Sequence, residues 1–160
     1  MRKAQAALEF LTTYGWAFLV ILIMIGALAY FGVLNPSNLL PPRCMFSPEI
    51  QCLEHKILGS VNIGGVNRGY LAFRVRNNVG QMASFSFNAT DIATNEYCIN
   101  VGIIGGGTNI RAGKIMEVNC TFNSTLPVGD RRKFEVSANY TKSGGSYSTP
   151  VKGEIYGEIQ

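Results

Sequence analysis

Residues able to do chemistry are few in this 160-residue chain and unevenly placed. Four cysteines, Cys44, Cys52, Cys98 and Cys120, fall after a long apolar stretch, and no two have Cys-x-x-Cys spacing. An even number on one side of such a stretch points to two disulfides in an oxidising exterior. Four cysteines allow three pairings. Cys44–Cys52 with Cys98–Cys120 is the preferred arrangement, because the first pair closes a short loop and the second joins neighbouring candidate strands. The single histidine, His55, stands three residues after Cys52. Cys44, Cys52 and His55 have the chemistry of metal ligands, yet one histidine in a loop is weak support, and no metal is expected.

Catalysis has little to draw on. Hydrolysis needs a nucleophile beside a positioned base, or two carboxylates at a set separation. Only Asp91 and Asp130 supply aspartate, and the glutamates outside the helix fall mostly on polar strand faces or in turns. Gly105-Gly106-Gly107 lacks the Lys and Ser/Thr of a phosphate-binding loop and reads as a hairpin connection. The chain is therefore expected to have no catalytic residue and no cofactor. Four Asn-x-Ser/Thr acceptors, at Asn88, Asn119, Asn123 and Asn139, are candidates for N-glycosylation.

The elements that carry these residues differ sharply in composition. No charged residue occurs from Phe10 to Pro42, whereas the rest is polar and rich in Gly and Asn. Tyr14 to Leu34 is nearly unbroken apolar sequence, about 32 Å as helix, which matches a bilayer core of about 30 Å. Its length exceeds the core of a cleaved secretory signal. Richness in Ala, Leu, Ile and Met favours helix over strand, and Asn35-Pro36-Ser37-Asn38 is expected to stop it. Arg2 and Lys3 before the span place the later residues outside. The net charge of +4 is half due to this pair. The remaining cations are scattered apart from Arg131-Arg132-Lys133, read as a solvated turn flank. No nucleic-acid partner is expected.

Glu9 is the lone acidic residue at the edge of the apolar run. It can act as an ordinary carboxylate near a helix N-terminus. If the chain is cut between Ala4 and Gln5, the new α-amino group lies about one helical turn from Glu9. A buried carboxylate among packed helices would then gain a cationic neighbour, and the pair could set the axial register of one copy on the next.

Arg2-Lys3-Ala4 followed by Gln5-Ala6-Ala7-Leu8-Glu9-Phe10-Leu11 resembles the class III signal peptide of archaeal type IV pilin precursors. Thr12-Thr13-Tyr14-Gly15-Trp16-Ala17 is similar to the continuation of many such chains. The family usually has Ser where this chain has Ala7 and Leu where it has Thr13. The resemblance implies cleavage between Ala4 and Gln5 by a prepilin peptidase and a register role for Glu9. It implies partners too: identical subunits in a helical filament, an assembly ATPase with membrane platform proteins, and lipid before assembly. It covers roughly the first 34 residues.

Beyond the helix, 35–56 reads as a proline-containing linker and an irregular cysteine loop. From 57 onward the pattern has period two. Leu71, Phe73 and Val75 alternate with more polar neighbours, as do Phe85 and Phe87; Met116, Val118, Cys120 and Phe122; Phe134, Val136, Ala138 and Tyr140; and Val151, Ile155 and Ile159. With weaker runs at 57–63 and 97–104, about seven strands are expected, separated by glycine-rich turns. The expected fold class is α+β: leader 1–4, helix 5–34, linker 35–56, and an antiparallel Ig-like β-sandwich over 57–160. Phe73, Phe85, Phe87, Phe122 and Phe134 are expected in its core. The function expected is a structural filament subunit serving adhesion or motility, inserted in the membrane and then carried on the cell surface. The alternatives are a membrane-anchored extracellular binding protein that never polymerises, and a minor, pseudopilin-like subunit.

Overall fold

The computed structural model describes residues 2–30 and 40–160; side chains are described for 8–10, 12–30 and 40–160. The chain divides into two units, Met1–Leu40 and Pro41–Gln160. The first contains α1, Arg2–Tyr30, a helix of 29 residues with no proline. The expected continuation to Leu34 and the stop at Asn35–Asn38 lie outside the described residues.

The second unit is all strand. In chain order these are β1 (Arg43–Phe46), β2 (Ile50–Ile63), β3 (Val66–Asn77), β4 (Ala83–Asp91), β5 (Glu96–Tyr97), β6 (Asn100–Ile104), β7 (Ile115–Thr121), β8 (Arg131–Lys142) and β9 (Ser148–Glu158). They form two antiparallel sheets, one of five strands in the order β1-β9-β8-β4-β5 and one of four in the order β2-β3-β7-β6. One helix followed by two antiparallel sheets is an α+β arrangement.

Period-two alternation explains the shared core. Leu71, Phe73 and Val75 of β3 and Met116, Val118 and Cys120 of β7 face Phe85 and Phe87 of β4, Phe134, Val136 and Ala138 of β8, and Val151 and Ile155 of β9. All five phenylalanines assigned to the core are buried. Phe73 meets Phe87 edge-on across the sheets at 5.8 Å, and Phe122 meets Phe134 at 5.5 Å. Each large apolar side chain removed from water contributes about 1.5–3 kcal/mol before entropy is counted.

The irregular loop expected before residue 57 is wrong. Residues 43–46 form β1, and the next strand begins at Ile50 rather than at 57. Two register shifts in β2, between Cys52 and Glu54 and between Leu58 and Val61, explain the misreading. Ile50, Cys52, His55 and Ile57 pair with inward-facing Asn77, Val75, Phe73 and Leu71, but the bulge near Leu53 breaks their spacing. With β1, and with 97–104 divided into β5 and β6, the strands among the described residues number nine rather than about seven.

Gly105-Gly106-Gly107 belongs to a longer connection than a tight hairpin. Gly105 and Gly106 take positive φ, which a side chain would resist. The loop then returns to the five-stranded sheet. There Gly107 accepts a hydrogen bond from the Phe85 N–H, and Ala83 and Ile110 exchange two more, covering part of the β4 edge.

Candidate functional site

The strongest sequence feature, the apolar helix, is also the most exposed. Leu8–Tyr30 is 23 residues long with a mean hydropathy of 2.0, long and apolar enough to cross a membrane. None of it is buried within the chain. Trp16 is 68% and Phe18 65% exposed. Gly15 and Gly26 have no atom within 4 Å of where a Cβ would stand.

Glu9 lies in the helix with its side chain exposed. Around it the polar groups are satisfied locally. The Thr12 hydroxyl donates to the carbonyls of Leu8 and Glu9, and the Thr13 hydroxyl donates to the Glu9 carbonyl at 2.7 Å. Such back-bonding lets hydroxyls sit on an apolar helix without an unpaired donor. Phe10 and Tyr14 lie one turn apart with their rings tilted at 40° and centroids 4.6 Å apart. Ala4 and Gln5 lie within the helical backbone, and their side chains fall outside the described residues.

In the second unit the cysteines are fully used. Cys44 is bonded to Cys52 and Cys98 to Cys120. The three potential ligands Cys44, Cys52 and His55 therefore make no metal site. Among the described residues, no three His, Cys, Asp or Glu side chains converge to form one.

His55 is not in a loop. It projects from β2 toward β9, paired in register with Phe73, and Nε2 lies 3.0 Å from where a Cβ on Gly157 would be. Burial pushes its pKa below the usual histidine value, and a hydrogen bond to the Tyr156 backbone only partly opposes this. It packs half-buried between β2 and Gly157 of β9.

Many charged residues of the second unit pair with one another. Asp91, wholly buried at the end of β4, bonds Arg132 of β8 at 2.5 Å and accepts from the Thr94 hydroxyl and the Ala93 N–H. A surface depression of about 500 Å³ bounded by β1, β8 and β9 includes Lys133, Glu135, Lys152 and Glu154. Lys133 and Arg43 both reach Glu154, at 2.5 and 2.8 Å, and Lys152 reaches Glu135 at 3.6 Å. The Lys133 hydrogen bond leads in holding the Glu154 carboxyl below its ordinary pKa, with Arg43 adding to it against the cost of burial. Of the basic triplet, Arg131 and Arg132 are half-buried in β8, and all three residues have acidic partners: Glu158, Asp91 and Glu154.

Glu96 is a polar anchor that sequence reasoning missed. Its carboxylate accepts from the Asn123 N–H, from the Ser124 N–H at 2.9 Å, and from the Ser124 hydroxyl. Burial pushes its pKa up, but these three donors outweigh it and hold the carboxyl below the ordinary value. The partners are 27 and 28 residues away, so no local motif could have disclosed the contact.

The four sequons occupy different settings. Asn88 on β4 and Asn139 on β8 are exposed, and Asn123 lies exposed in the loop after β7 with its Oδ1 accepting from Arg68 at 3.0 Å. Asn119 is half-buried on β7, and its Oδ1 is buried without a hydrogen-bond partner.

No known family model matches this chain, and no curated protein is similar to it.

Proposed function

We propose that this chain is the subunit of an extracellular filament of the archaeal type IV pilus kind. Its precursor is held in the membrane by α1, cut between Ala4 and Gln5, and polymerised through the helix with no catalytic step of its own. The observation that carries this reading is the length and all-round apolar surface of α1, 23 residues of it with a mean hydropathy of 2.0. A helix apolar all round must be covered by something beyond itself. Lipid supplies that cover before assembly, and identical helices supply it afterwards. In lipid the gain comes from close packing, for which Gly15 and Gly26 leave room. In the filament, exclusion of water adds the hydrophobic term.

Glu9 fits this scheme as the register residue. Removal of Arg2 and Lys3 leaves an amine on Gln5 one turn away, and the pair offsets the cost of placing a carboxylate among apolar helices. The outer domain, read as an Ig-like β-sandwich, forms the filament surface, where two disulfides suit an oxidising exterior. Adhesion or motility is the use.

The test is electron microscopy of filaments sheared from cells, with the subunit and its N-terminus identified by mass. A mature chain starting at Gln5 is expected in the filaments. Glu9→Ala should stop assembly while leaving membrane insertion intact. Recovery of the native chain only as an uncut, dispersed single-pass protein would overturn the reading in favour of a simple anchor.

A further inference from the structure

We infer that N-linked glycans are carried by the outer face of the five-stranded sheet, at Asn88 and Asn139, and that the outer face of the four-stranded sheet, at Asn119, carries none. The inference rests on the extracellular placement of the domain proposed above, and on no step of polymerisation.

All four acceptor tripeptides look alike in sequence, yet their surroundings after folding differ. Asn88 pairs in register with Ser137, and Asn139 pairs with Ser86 on the same two strands. The two asparagines are thus diagonal neighbours on one face. Their flanking residues Phe87, Ala89, Ala138 and Tyr140 turn into the core, which sends both amides outward. The hydroxyl residue of each tripeptide, Thr90 and Thr141, shares that outward face because it lies two residues on. The rest of this region of β4 and β8 is built from Ser84, Ser86, Ser137 and Thr141. The nearest charge on these two strands is Glu135, which pairs in register with Thr90 and is tied to Lys152; on the side of Asn139 a saccharide meets small hydroxyl groups able to hydrogen-bond it.

Asn119 is placed oppositely. It sits on an interior strand between Ala72 of β3 and Gly102 of β6. Its Oδ1 is buried and unpartnered, and the hydroxyl of Thr121 is buried as well. The middle residue of its tripeptide, Cys120, is bonded to Cys98. A sugar on this amide would have to grow from a half-buried side chain whose carbonyl oxygen, like the Thr121 hydroxyl, is withdrawn from solvent. Asn123 belongs to neither face, lying in the end loop beside Arg68.

The experiment is glycopeptide mass spectrometry on the full protein from its native cells, with the attachment residue located by fragmentation. Saccharide mass is expected on Asn88 and Asn139, with Asn119 bare. Saccharide on Asn119, or bare side chains at both Asn88 and Asn139, overturns the inference. A second arm uses the double variant Asn88→Gln, Asn139→Gln. It should keep both disulfides and its cooperative unfolding while losing the saccharide mass of two sites; retention of the full mass would sink the assignment. If filaments never form but this pattern is present, only the filament reading fails. If filaments form and the pattern is absent, only the glycan assignment fails.

Discussion

Cys44 and Cys52 sit on strands of different sheets with their Cα atoms 5.9 Å apart, and their bond closes one side of the two-sheet domain. The chain passes there from the edge strand β1 of one sheet to the edge strand β2 of the other. The second bond repeats the device at the next such crossing. Between β5 and β6, the Cys98 N–H donates to Ala89 of the five-stranded sheet and the Ile99 N–H donates to Thr121 of the four-stranded sheet. Cys98 is tied to Cys120 at that crossing. Each covalent staple thus stands where an edge strand leads from one sheet into the other.

The two staples should differ in strength. They close loops of 8 and 22 residues by sequence separation. On the chain-entropy account these contribute about 2.5 and about 3.4 kcal/mol. Replacing each pair with serine and measuring urea unfolding should show the Cys98/Cys120 variant as the weaker. The reverse order would mean that native packing, and not loop closure, sets their contribution.

Glu96 should govern a low-pH loss of stability. Its carboxyl is held below its ordinary pKa in the folded protein, so its contribution is complete above the unfolded value, about 4.3. That contribution falls away as pH drops through the folded pKa. Glu96→Gln should cost about 1 kcal/mol at neutral pH. It should also flatten the acid limb of a stability profile, measured by unfolding from pH 7 to pH 3. An unchanged acid limb would assign that limb to other carboxylates.

Asp91 and Arg132 form a pair in which the carboxylate has no access to water. Arg132→Met should leave that charge buried and cost about 3 kcal/mol. Asp91→Asn with Arg132→Met should recover part of the loss, because the charge goes while the Thr94 and Ala93 contacts can persist. A double-mutant cycle in thermal unfolding measures this coupling, and strict additivity would contradict it.

Gly59 should resist substitution for lack of space. A Cβ there would lie 2.6 Å from Val128 Cγ2 and 2.7 Å from the Leu126 carbonyl oxygen. The glycine also bonds Gln160 and Leu126 through its backbone, so the neighbouring segment cannot withdraw freely. Gly59→Ala should cost about 1–3 kcal/mol. Gly102→Ala, whose Cβ would meet nothing closer than Asn119 Cβ at 3.9 Å, should be nearly neutral. Equal effects at the two positions in denaturant unfolding would rule out crowding as the cause.

What the sequence determined by itself is local and periodic. The run without charge from Phe10 to Tyr30 must avoid water, and its composition makes it helix. The alternation at Leu71–Val75 and Phe134–Tyr140 places those strands and their buried faces, because side-chain direction in a strand repeats every two residues. Tertiary structure decided what depends on distant segments meeting. Cys44 and Cys98 each had three sulfurs to choose from, and only the approach of β1 to β2 and of the β5–β6 crossing to β7 selects one. β1 was hidden because four residues show too little of the period that reveals a strand, and the start of β2 because a bulge interrupts it. His55 was misplaced for the same reason. Glu96 and its loop, and the contrast between Asn88 and Asn119, exist only after the sheets form, since a hydrogen bond or a closed surface between remote residues leaves no spacing in the chain.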